Sequence, residues 1–156
     1  MAFLIPLTMA CVLTASQVQE VHPLAIVTIL KVEGGKVGSV SRNKDGSVDI
    51  GPMQINSKAW LPQIANMHFG GNQAAAFYAL RDNGCYNVHI GSWILRQSIN
   101  ECGGDVFEGI GCYHSHTPKH KEKYKAKFKQ TFHSLFYNYT GVTSFNENQV
   151  AQALKK

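Results

Sequence analysis

The sequence predicts an α+β fold, mostly helical, with one small antiparallel sheet flanking a cleft. Three observations predict it. Apolar residues recur at three- and four-residue steps through most of the chain. One stretch, residues 37–50, breaks that period and carries hairpin turn chemistry instead. The longest helical pattern, residues 121–139, sets an aromatic stripe against a lysine-rich face.

Taken in order, a first helix spans residues 7–20 and stops at His22-Pro23, because a residue before proline avoids the helical region. Residues 24–32 form a second, nearly all-apolar helix, punctuated by Gly34-Gly35. Asn43-Lys44-Asp45-Gly46 then sits between short segments containing Val40 and Val48, a hairpin signal that implies two or three strands. Pro52 opens a loop or helix start holding Met53, Gln54 and Ile55. Residues 58–65 and 73–81 read as helices, separated by His68-Phe69-Gly70-Gly71-Asn72. Residues 87–99 are amphipathic, with Val88, Trp93, Ile94 and Ile99 as core positions. A short helix at 107–113 leads into a polar loop, 114–120, containing Pro118. Tyr124, Phe128, Phe132, Leu135, Phe136 and Tyr139 make the apolar side of the last long helix. Residues 1–139 are therefore one domain, and 140–156 a polar tail expected to form a loosely attached helix.

A chain of 156 residues, 44% hydrophobic and 16% charged, can bury a substantial core in one globular domain. Its net charge of +5 is concentrated in Lys119, Lys121, Lys123, Lys125, Lys127 and Lys129. A helix face this basic is ordinarily a solvated one, but it suits anionic wall polymer or a membrane surface. Nucleic acid is disfavoured, because the aromatics read as buried rather than interleaved for stacking. No apolar run approaches the length of a transmembrane helix.

Cys11, Cys85, Cys102 and Cys112 contain no CxxC pair, which argues against a zinc or thioredoxin-type site. An even count fits two disulfides and an oxidising compartment. Three pairings exist; the short loop between Cys102 and Cys112 favours that pair, leaving Cys11–Cys85, with four reduced core cysteines as the alternative. Residues 1–16 are apolar enough for a signal segment, yet no Lys or Arg precedes Lys31 and cleavage would remove Cys11, so residues 7–21 are read as a retained first helix.

Glu33 is the leading candidate for chemistry. It ends the apolar run Ala25-Ile26-Val27-Thr28-Ile29-Leu30, and a half-desolvated carboxyl there would hold its proton toward neutral pH and serve as a general acid. From Asn43 the chain reads Asn-Lys-Asp-Gly-Ser-Val-Asp-Ile-Gly-Pro-Met-Gln-Ile-Asn, closing at Asn56. Together with Glu33-Gly34-Gly35 and the triplet Gly111-Cys112-Tyr113, this resembles the active-site segments of the lysozyme-like lytic transglycosylases. The likeness is greatest to the small members that accompany type IV secretion and conjugative pili. Gly91-Ser92-Trp93-Ile94-Leu95 also resembles the helix that precedes the family's triplet.

The resemblance implies a lysozyme-like fold and a periplasmic enzyme needing no cofactor. Such an enzyme cleaves the β-1,4 bond between MurNAc and GlcNAc in peptidoglycan and leaves a 1,6-anhydro-MurNAc end. Glu33 would act first as acid and then as base. Gln54 would hydrogen-bond the sugar, Met53 offer an apolar surface, Gly51 admit close backbone approach, and Tyr113 contact Glu33 or the anomeric region. Ser41 and Asn43 both match the family's polar position after the glutamate. The partners implied are glycan strands and, for the small members, secretion or pilus machinery.

The same segment resembles animal-type lysozymes, in which the residue at the Asp49 position is a second carboxylate. That opens a hydrolytic alternative using Glu33 and Asp49. A third reading is a glycan-binding assembly factor that keeps the fold without turnover. Asp45 is expected to be a turn residue only. His114, His116 and His120 have suggestive spacing, but the loop lacks a nearby acidic cluster, so no metal is assigned.

Overall fold

The computed structural model describes residues 3–140 and 146–155, apart from the side chains of 137–140. Tyr139 of the aromatic stripe, residues 141–145 and Lys156 lie outside the described side chains. The elements are α1 (Met9–Gln19), α2 (Pro23–Glu33), β1 (Val40–Arg42), β2 (Val48–Ile50), β3 (Ile55–Asn56), α3 (Ser57–His68), α4 (Gln73–Asp82), α5 (Gly84–Glu101), α6 (Val106–His114), α7 (Pro118–Thr140) and α8 (Glu147–Ala153). The chain divides into two compact units, Met1–Leu13 with Glu33–Gly91, and Thr14–Val32 with Ser92–Lys156, the boundaries falling within α1, α2 and α5. Among the described residues no helix is long and apolar enough to cross a membrane.

The first unit contains the antiparallel sheet, in the order β1-β2-β3. Val40 faces Ile50, Ser41 faces Asp49, and Asp49 in turn faces Asn56. The β1–β2 turn closes through the Asn43 N–H on the Ser47 carbonyl and the Gly46 N–H on the Asn43 carbonyl. Gly46 takes φ +83, which a side chain would resist. Asn56 ends β3 and caps α3, its Oδ1 accepting the Lys58 and Ala59 N–H groups at 3.0 Å each. α3 then packs on α4 and against β2 and β3 over a core that includes Ile50, Met53, Ile55, Ile64 and Leu80. The disulfide Cys11–Cys85 joins two Cα atoms 5.2 Å apart within this unit.

In the second unit, α2 begins with Pro23 in the first helical position, where its missing N–H costs nothing. His22 precedes it, and its Nδ1 accepts the Leu24 N–H at 3.1 Å. α2 buries Ala25, Ile26, Ile29 and Val32. α6, α7 and α8 pack on one another, with Phe107, Ile110, Tyr124, Phe128, Phe132, Val150 and Leu154 buried. α7 runs three residues further toward the N-terminus than the pattern indicates. Pro118 does not break it, since proline is as well suited to a helix start as to a loop. The polar connection therefore shrinks to residues 115–117. The Cys102–Cys112 disulfide spans Cα atoms 6.7 Å apart and ties the end of α5 to α6. In a chain-entropy account, closing sequence separations of 10 and 74 residues stabilises by about 3 and about 4 kcal/mol.

One ion-pair cluster in the second unit has a pH consequence. Glu108 on α6 takes the Lys121 ammonium at 2.8 Å and also pairs with Lys125, whose side chain is only 4% exposed. Hydrogen bonds from Lys121 and then Lys125 hold the Glu108 carboxyl below its ordinary range. Burial alone would lower the Lys125 pKa, but the hydrogen bond and charge of Glu108 outweigh it and raise the pKa. A depressed carboxylate contributes stability above its unfolded pKa and loses it as pH falls through the folded value. The raised lysine contributes below its unfolded pKa and loses that contribution as pH rises through the folded one. Glu108→Gln should therefore lower the melting temperature near neutral pH by about 5 °C and flatten its decline on acidification. Thermal melts of both chains from pH 3 to pH 8 check this; parallel curves would refute it.

Candidate active site

Glu33 is the last residue of α2 and is half-buried. Gly34 follows with φ +67, the left-handed conformation that ends many helices, and turns the chain. Gly35 then lies directly on the turn at residues 51–54. A Cβ added to it would strike the Gly51 carbonyl oxygen and sit 2.7 Å from the Gln54 Nε2. The local fold thus brings the segment leaving Glu33 against the Gly-Pro-Met-Gln turn that the motif carries eighteen to twenty-one residues downstream.

That turn is held from several sides. The Gly51 N–H donates to the Ser39 carbonyl at 3.0 Å, and the Gln54 N–H closes on the Gly51 carbonyl at 3.1 Å. Gln54 adopts φ +52, and its side-chain Nε2 donates to the Gly51 carbonyl at 3.0 Å. Such a conformation is costly for a residue with a side chain and persists because its surroundings determine it. Gly51 has φ +68, and a Cβ there would meet the Asn87 amide and the Leu80 carbonyl oxygen. Its glycine is thus demanded by the protein's own backbone packing. Met53 is fully buried, so it supports the turn from beneath rather than offering surface to a sugar ring. The missing side chain of Gly91 makes room for it, since a Cβ there would collide with the Met53 sulfur.

Asn87 organises this arrangement, and reading the sequence did not single it out. It is fully buried in α5. Its Oδ1 accepts the Met53 N–H at 2.9 Å, and its Nδ2 donates to the Ile50 carbonyl at 2.9 Å and the Leu80 carbonyl at 3.0 Å. The available signal was an asparagine beside Val88 on an otherwise apolar helix face. A buried amide there has to find partners.

The hairpin carboxylates are engaged locally. Asp49 Oδ1 accepts the Asn56 amide at 2.8 Å, tying β2 to β3. Asp45 Oδ1 accepts the Ser47 hydroxyl at 2.6 Å and the Ser47 N–H at 3.0 Å, which hold its carboxyl below the usual range. Asn43 donates its amide to Ser47 Oγ at 3.1 Å, as does Asn56. Ser41 is exposed on β1, opposite Asp49. Asn43 and Ser41 are therefore hairpin residues in this geometry, and Asn43 is part of its bracing network.

Tyr113 is half-buried on α6, in the second unit. Gly109 and Gly111 let α6 approach its neighbours: a Cβ at Gly109 would strike Ile99, and one at Gly111 would strike the Lys121 and Lys125 stems. The ring of His114 stacks on Tyr124 with centroids 4.6 Å apart, and His116 Nε2 lies 3.4 Å from Glu101. His116 is near the sulfurs of Cys102 and Cys112, but those are joined in a disulfide and offer no thiolate.

A half-buried glutamate thus ends α2 two residues before Gly35, which packs on a hydrogen-bonded turn that bears an amide side chain. Comparison with known proteins gives it a context. Over 108 residues the chain is 29% identical to the invasion protein IagB of Salmonella typhimurium, strains SL1344 and LT2, and of Salmonella typhi. The match takes in 69% of this chain and 62% of each relative, so the chain spans less than two thirds of their length. The family model described as the transglycosylase SLT domain matches residues 10–136, covering Glu33, the 51–54 turn, Asn87 and Tyr113 alike. By that match the chain belongs to the transglycosylase SLT domain family.

Proposed function

We propose that this protein is a peptidoglycan lytic transglycosylase in which Glu33 acts as acid and then as base. Its carboxyl protonates the glycosidic oxygen between MurNAc and GlcNAc as the bond from that oxygen to the anomeric carbon breaks. The carboxylate left behind takes the proton of the sugar's own 6-hydroxyl, whose oxygen closes onto the anomeric carbon. The products are a 1,6-anhydro-MurNAc end and a free GlcNAc 4-hydroxyl, with no water consumed. The observation that supports this reading is the packing of Gly35, two residues after Glu33, on Gly51 and Gln54.

Gln54 is assigned to sugar recognition, and Tyr113 is kept as a substrate contact from its motif. The Asn56–Asp49 hydrogen bond supports Asp49 as a brace for the sheet rather than a second catalytic carboxylate. A peptidoglycan substrate and the two disulfides favour action outside the cytoplasm, in the periplasm. Service to a secretion or pilus apparatus is proposed from the motif's resemblance to the small transglycosylases that accompany such machinery.

Digestion of purified peptidoglycan followed by mass spectrometry tests the proposal. Anhydro-muramyl ends are the expected product. Reducing ends would replace it with a hydrolytic muramidase, and intact glycan would leave a binding factor.

A further inference from the structure

We propose that the outward face of α7 is a docking surface for the carboxylate-bearing stem peptides of peptidoglycan, laid along a row of lysines that leads to the end of α2. The proposal rests on the substrate class assigned above. Lysines at every second position from 119 to 129 fall on opposite sides of a helix that turns about 100° per residue. The structure separates them. Lys121 and Lys125 turn inward to Glu108, and Lys125 also reaches Glu122 at 3.3 Å. Among the described residues, these two make the ion pairs that α7 lysines enter.

Lys119, Lys123 and Lys127 form the other row, all exposed and successively about 6 Å apart along the axis. At its end the Lys127 ammonium donates to the Val32 carbonyl at 3.1 Å, at the last turn of α2. Lys31, also exposed, precedes Val32 in the chain, and Glu33 follows it. The cationic row thus ends against the backbone of the last turn of α2, at Val32. Of the acidic residues in this unit, Glu122 is paired with Lys125, Glu108 with Lys121 and Lys125, and Glu147 acts on Lys125 through its charge.

Charge complementarity selects the occupant. Stem peptides hang from alternate sugars of a glycan strand and present carboxylates at intervals along it, which suits a linear row of ammonium groups. A membrane surface fits less well, because an interfacial helix lays an apolar face into lipid, whereas Tyr124, Phe128 and Phe132 of α7 face inward and are buried. Nucleic acid fits less well for the same reason, since these rings are not offered for stacking.

The test uses the full chain carrying Glu33→Gln, so that binding is read without turnover. Fluorescently labelled glycan strands are titrated in two forms, with stem peptides intact and after their removal by an amidase. Vesicles of phosphatidylglycerol are assayed by co-sedimentation. The expected result is tighter binding to the stem-bearing strands, with the difference closing at high salt. Adding Lys119→Gln and Lys123→Gln should weaken binding to stem-bearing strands by about fivefold, to the level of the stripped ones. Both replacements are good helix formers on an exposed face, and circular dichroism confirms that the fold is kept. Equal binding of both strand forms, no effect of the lysine changes, or their effect falling on vesicles alone would overturn the proposal. Failure here leaves the identity of the digestion products untouched, so the two readings fail separately.

Discussion

Glu33→Gln should lower turnover on peptidoglycan by on the order of a thousandfold while leaving the melting temperature near that of the parent. The amide keeps the size and much of the hydrogen-bonding capacity of the carboxyl, so a half-buried helix end tolerates it. It cannot donate a proton to the departing oxygen, and it cannot remove one from the 6-hydroxyl. Both steps of the proposed mechanism are therefore lost with one substitution. Product formation by mass spectrometry, with circular dichroism beside it, measures the effect. Activity within tenfold of the parent would remove Glu33 from the mechanism.

The companion variant, Asp49→Asn, separates one carboxylate from two. Asparagine retains an acceptor for the Asn56 amide, so the brace between β2 and β3 survives. Transglycosylation by Glu33 alone predicts activity within about threefold of the parent, since no charge at Asp49 enters the chemistry. A retaining hydrolase would lose nearly all of it.

The second large effect is expected at Asn87. Replacing it with leucine conserves approximate volume but strands the Met53 N–H and the Ile50 and Leu80 carbonyls in a buried site. An unsatisfied buried group costs about 1–3 kcal/mol, so the loss should be about 3 kcal/mol or more, a fall of roughly 10 °C in melting temperature. Asn87→Asp makes the same point electrostatically. It keeps an acceptor for Met53 but turns a carboxylate toward two carbonyl oxygens. Burial and those carbonyls favour its protonated form, so its folded pKa is raised above the unfolded value. The variant should therefore be least stable near neutral pH and regain stability as pH falls. Melts of both variants across pH distinguish this from a generic packing defect, which would not depend on pH. Below their melting temperatures both should show raised KM, because Gln54 sits on the turn that Asn87 holds.

Much of the fold was legible because it depends on local rules. The α2 stop at Gly34, the Asp-Gly hairpin and the aromatic stripe of α7 each follow from conformational preference or from a periodicity visible in one stretch of chain. The start of α7 was misplaced for an equally local reason: Pro118 is compatible with either a loop or a first helical turn. The lysine run shows the limit more sharply. Its six positions look alike in sequence, yet Lys121 and Lys125 neutralise Glu108, the latter with a nearly buried ammonium, while Lys119, Lys123 and Lys127 are exposed. Which row is which depends on where Glu108 stands in another helix.

The candidate site divides in the same way. Residue type and spacing alone were enough for the family motif, for Glu33 as the candidate acid, for the turn residues Gly51 and Gln54, and for the helical class of the fold. These are matters of residue type and spacing along one chain. It takes the folded chain to show that Met53 lies beneath the turn, that Asp49 is hydrogen-bonded to Asn56, and that Asn87 joins α5 to residues 37 and 34 positions earlier in the chain. Those roles come from contacts between segments far apart in sequence. A buried polar group takes whatever donor or acceptor the fold brings to it, and no local pattern names that partner in advance.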